Sequence, residues 1–131
     1  MTWRRREVAP AIVSVLAAVT YDGNAVPGFA IPPETFNPPA YVVGYPTLVT
    51  RGVGGMGIDL AELPVAACGG PNDADRVDEL LELAIAELEP DPTLGGVVLA
   101  SKVRIAQQSW RRINIAGAEV LAADLVMEIR Q

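Results

Sequence analysis

The chain has 131 residues, of which 50% are apolar and only 5% aromatic, with one cysteine, no histidine and a formal charge of −6. This is the size of one domain with an aliphatic core. The missing histidines exclude Ser-His-Asp and Cys-His catalysis and histidine metal sites. The lone cysteine excludes an intrachain disulfide, and the acidic balance speaks against docking on nucleic-acid phosphates or anionic lipid.

Arg4, Arg5 and Arg6 precede an apolar run, Ala11–Val19. Glu7 and Pro10 interrupt the pattern of a secretory signal, and the run is far shorter than the roughly 20 residues that span a bilayer. Val8, Ile12, Val15, Leu16 and Val19 instead fall on one helical stripe. Pro10 is expected in the first turn, where its missing N–H costs nothing. The three arginines are expected ahead of the helix, solvated or at an interface. Tyr21-Asp22-Gly23 ends the element with turn residues.

From Asn24 to Pro46 six prolines rule out continuous helix or a central strand. Ala40–Gly44 is apolar and β-branched enough to enter a sheet, and Thr47–Thr50 can continue it beyond Pro46. After the glycines at 52, 54, 55 and 57, Ile58–Cys68 reads as a strand. Pro64 predicts that part of it lies at an edge, and a slip of phase between Leu60 and Leu63 predicts a bulge. Gly69-Gly70-Pro71-Asn72 breaks this strand and opens a helix with Asn72 or Asp73 as cap. Val77, Leu80, Leu81, Ala84, Ile85 and Leu88 form its apolar stripe, and Pro90 and Pro92 stop it. Leu99–Arg130 then reads as two long antiparallel strands, with Leu121, Ala123, Leu125, Met127 and Ile129 on one face. The expected class is α+β: one domain over residues 1–131, a mostly antiparallel sheet with helices packed on one face. Val97, Val98, Val120 and Val126 add apolar residues beyond that face, so the strands are expected to need cover from another subunit.

Gly52-Val53-Gly54-Gly55-Met56-Gly57 matches G-x-G-x-x-G, but a dinucleotide site needs a helix directly after the glycines, and a strand follows here. Asp73, Asp75, Asp78 and Glu79 lack the spacing of a calcium loop and read as a solvated helix start. The acidic residues do not converge as an acid–base pair would, and Cys68 reads as a buried structural thiol. No catalytic, cofactor-binding or metal residue is therefore assigned, and no cofactor is expected. Trp110-Arg111-Arg112 is the most suggestive cluster: it reads as a hairpin end with solvated arginines and a tryptophan folded onto its own sheet, as a protein interface, since tryptophan and arginine are enriched at hot spots, or as a contact to a phosphate backbone. Val53 and Met56, the apolar residues of the glycine loop, join them as interface candidates.

The order of features resembles the tail terminator proteins of long-tailed phages, particularly those of actinobacterial hosts. It consists of an N-terminal helix ending in Tyr21-Asp22-Gly23, then Asn37-Pro38-Pro39 leading into Ala40–Gly44. Gly69-Gly70 runs into an Asp-rich amphipathic helix, and Asp91-Pro92-Thr93-Leu94-Gly95-Gly96 precedes the C-terminal strands. The resemblance spans nearly the whole chain, although each motif alone is turn chemistry. It implies a non-enzymatic ring, usually a hexamer, at the head–tail junction of the virion and made in the host cytoplasm. The implied partners are further copies of the chain, the tail tube protein and a head-completion or neck protein. DNA would pass through the lumen without specific binding, and no membrane is involved. The alternatives are another neck protein, such as a head-closure or adaptor subunit, and a small ligand-binding α+β domain using the Gly52–Gly57 loop.

Overall fold

The computed structural model describes residues 3–53, 57–105 and 110–131. Two helices and nine strands are found among them, in an α+β arrangement: α1 (Arg5–Leu16), β1 (Thr20–Tyr21), β2 (Asn24–Ala25), β3 (Gly28–Phe29), β4 (Ala40–Val43), β5 (Leu48–Val53), β6 (Ile58–Gly69), α2 (Ala74–Leu88), β7 (Ala100–Ile105), β8 (Arg111–Ile115) and β9 (Ala118–Arg130). Seven strands make one sheet in the order β3-β4-β6-β9-β7, with β5 also on β6 and β8 also on β9. All pairings in it are antiparallel except β3 with β4. β1 and β2 form a separate hairpin, where Asp22 and Gly23 both take positive φ (52° and 79°) as a two-residue primed turn requires.

The spine of the sheet is β6 against β9, in unbroken register from Leu60↔Arg130 to Gly69↔Leu121. Strand alternation sends Ala61, Leu63, Val65 and Ala67 of β6 to one face, with Leu121, Ala123, Leu125, Met127 and Ile129 of β9. Both helices pack there. Val8, Ile12 and Leu16 come from α1; Val77, Leu80, Leu81, Ala84 and Leu88 come from α2. Burying each leucine contributes about 1.5–3 kcal/mol. The Tyr41 hydroxyl crosses this layer and donates to the Leu80 carbonyl. The opposite face carries a smaller core of Ala40, Val42, Ala66, Cys68, Ile115, Val120 and Ala122, covered by Phe36 with Phe29 beside it. The proline-rich stretch thus serves as a lid for half of the second face.

Several expectations are corrected. Leu99–Arg130 holds three strands, because β7 and β8 lie end to end along the same side of β9. β4 and β5 do the same along β6, so the strand does continue past Pro46, after an interruption at 44–47. β6 has no bulge between Leu60 and Leu63, where Leu60 belongs to the second face and its neighbour Ala61 to the first; the register shift lies in its pairing with β5, between Thr50 and Val53. Val98, Val120 and Val126 are buried within the chain. Asp73 stands at the N-cap of α2, yet its side chain makes no capping hydrogen bond. Helix α1 already begins at Arg5, which moves Pro10 into the second turn. Pro10 and Arg6 are both exposed, so water can serve the carbonyl that proline leaves without a donor.

Pro64 lies in a strand paired on both sides, which its missing N–H should forbid. The Gly44 N–H donates to the Pro64 carbonyl at 2.8 Å. In an antiparallel ladder such a pair exchanges two bonds, so Pro64 leaves the Gly44 carbonyl without its return donor. Arg5 supplies it. Its Nε donates to Gly44 O at 3.1 Å, and its Nη2 donates to the carbonyls of Val43 (2.8 Å) and Ala30. Arg5 is therefore part of the fold, whereas Arg4 and Arg6 are exposed as expected. Gly44 is required as well, since a Cβ there would stand 2.8 Å from Pro64 Cγ.

Candidate interaction surface

Arg111 and Arg112 are neighbours on β8, directly after Trp110, so adjacent side chains point to opposite faces. Arg111 shares the second face with Ala122 and reaches both oxygens of Asp124, at 3.0 and 3.1 Å. The Trp110 indole N–H donates to Asp78 Oδ1 of α2 at 3.0 Å, with the residue 47% exposed. Arg112 stands 4.0 Å from Glu119. The structure thus dissolves the cluster into three separate contacts. Trp110 is neither core nor fully free, and the two arginines do not form one cationic patch. Val53 ends β5, on the side of the sheet opposite β8, so it is not brought near Trp110. Met56 lies outside the described residues.

The glycine loop leads from β5 to β6, and Gly57 enters a strand. Among the described residues, no helix N-terminus is offered there to a pyrophosphate. Asp73 pairs with Arg76 at 3.7 Å, and Arg76 also reaches Asp22 at 3.8 Å and lies over the Tyr21 ring at 5.2 Å. Hydrogen bonding to Glu79 raises the Tyr21 pKa. These groups tie α2 to the β1–β2 hairpin. Among the described residues, no three acidic or thiol groups converge as metal ligands. Cys68 is buried, and burial pushes its thiol up to about 12, which makes it a poor nucleophile.

Three features were missed by sequence reasoning. The first is Asp59, only 5% exposed, whose carboxylate accepts from the Trp3 N–H at 2.7 Å and the Gly52 N–H at 3.2 Å. The Trp3 amide, foremost, holds this carboxyl below the ordinary range. The second is the open half of the second face. There Glu62, Lys102, Glu128 and Arg130 surround a shallow depression floored by Leu60 and Ala100. Arg104 bridges Glu62 (3.5 Å) and Glu128 (3.3 Å) across three strands. The third is a set of large exposed apolar side chains at the two sheet edges: Tyr45, Leu48 and Val49 on one side, Leu99 and Ile105 on the other. No segment of the sequence signals them, because which strands lie at the edges follows from the sheet order. No helix of the described residues is long and apolar enough to cross a membrane.

Comparison of the sequence with known protein families and with curated proteins gives no match.

Proposed function

We propose that this chain is a structural virion protein of the phage head–tail junction, a tail terminator whose copies form a hexameric ring that caps the tail tube and presents the surface for head attachment. The observation that carries the reading is the order of the turn signatures, now set in the fold. Asn37-Pro38-Pro39 leads into β4, Gly69-Gly70 joins β6 to α2, and Asp91–Gly96 leads from α2 towards β7. The exposed apolar edges of the sheet support it, since a subunit built to contact neighbours needs such surface. The charge of −6 suits a channel that DNA must cross without sticking.

The test is tube length. Tail tube protein is polymerised with and without this chain, and lengths are measured by negative-stain microscopy. A terminator sits at tube ends and stops growth. Tubes that lengthen regardless, with the added protein bound to heads, would instead identify a head-closure or adaptor subunit.

A further inference from the structure

We propose that copies of this chain join head to tail through their sheet edges, β5 of one copy beside β7 of the next, so that the sheet runs on from subunit to subunit. The proposal rests on the ring reading above and assigns its interface. Among the described residues, β5 is hydrogen-bonded only to β6, and β7 only to β9. Each therefore offers an unsatisfied row of backbone donors and acceptors. β5 is antiparallel to β6, β6 to β9 and β9 to β7. Consequently β7 runs opposite to β5, and a second copy laid in the same orientation presents its β7 to β5 as an antiparallel ladder.

The side chains at these edges fit that occupant. Tyr45 (81% exposed), Leu48 (47%) and Val49 (37%) lie at the β5 edge, and Leu99 (49%) and Ile105 (60%) at the β7 edge. The two patches use different residues on opposite sides of the sheet. A contact between them is heterologous, which closes into a ring or runs into a filament, whereas a two-fold dimer would need one self-complementary patch.

Charge supports the same pairing. Exposed Arg51 stands on β5, near Asp59. On α2, Arg76 and Glu79 face the β1–β2 hairpin, while Trp110 at the start of β8 holds Asp78. Helical spacing puts exposed Glu82 and Glu89 on the Asp78 stripe, towards the β7 side. Arg51 of β5 thus meets an acidic rim when copies are placed edge to edge. Lys102 and Arg104 of β7 do not disturb this: Lys102 lies opposite Glu128 in the ladder, and Arg104 is paired with Glu62 and Glu128 of its own chain.

The experiment uses the full chain with Cys68→Ala, carrying a single new cysteine at an exposed position: Val49→Cys on β5 or Ile105→Cys on β7. Circular dichroism first confirms that both fold. Each is treated with a short bismaleimide alone and as an equal mixture, free and on tail tubes. Head-to-tail pairing gives cross-linked dimers in the mixture and few with either variant alone, while a chain carrying both cysteines gives a ladder. Dimers from one variant alone, or no cross-link in the mixture free or on tubes, overturn the proposal. Failure of the tube-length test with the mixed cross-link intact removes the terminator reading and leaves this interface standing. Tube capping without the cross-link does the reverse.

Discussion

Replacing Arg5 with methionine tests the account of Pro64. Methionine keeps most of the aliphatic stem and removes only the donors. Three carbonyls, of Gly44, Val43 and Ala30, lose a charged hydrogen bond. Bonds of this kind are worth about 1.5–3 kcal/mol each in favourable settings, but one half-buried guanidinium serves all three, so a total loss of about 2–4 kcal/mol is expected. That is a visible part of the about 7–20 kcal/mol that a chain of this length possesses. The measurement is the urea midpoint, followed by circular dichroism, with an unchanged slope. The sharper readout is the same substitution in a Pro64→Ala background. Alanine restores an N–H aimed at the Gly44 carbonyl, which replaces one of the three lost bonds. The loss from Arg5→Met should then shrink by about 1 kcal/mol. Equal losses in the two backgrounds would show that Arg5 does not stand in for the missing proline donor.

Two further outcomes follow from the structure. Asp59 has its folded pKa lowered, so its contribution is present above the ordinary carboxyl value of about 3.9 and is lost as pH falls through the folded value. Thermal melts from neutral pH down should therefore show a fall in stability below about pH 5 that Asp59→Asn flattens, while an identical pH profile for the variant would refute the role. Phe36, 7% exposed, covers the smaller core, and Phe36→Ala should cost about 3 kcal/mol in urea unfolding. A loss below about 1 kcal/mol, the size of an ordinary surface change, would mean that the proline-rich stretch does not hold that face.

The elements legible in the sequence were those whose period matched their burial. The stripe of α2 and the alternation of β9 needed only local information, and they fixed the fold class and the face that the helices cover. Where the reading failed, a distant partner decided. Pro64 signals an edge, yet it sits beside the sheet's spine because Gly44 and Arg5, 20 and 59 residues earlier in the numbering, accommodate it. Phe36 lies in the proline-rich stretch, which carries no periodic pattern of its own, and only the register of β4, β6 and β9 makes it a lid. The Trp110-Arg111-Arg112 cluster was read from adjacency, which on a strand separates side chains rather than gathering them. The apolar edges were invisible because edge status is a property of the sheet order, not of any segment.

Residues 59 and 131 exchange backbone hydrogen bonds in both directions, and Asp59 also holds the Trp3 amide. Residues 3 and 131 thus meet at one end of the β6–β9 ladder. This gives the fold a mechanical grain. A pull between residues 59 and 131 loads the last pair of the ladder first and unzips the rest in turn. A pull that slides β6 along β9 must shear all ten registered pairs, Leu60↔Arg130 to Gly69↔Leu121, at once. Force carried along the strands is borne by the whole spine, whereas force applied across the Asp59–Gln131 pair opens it like a seam.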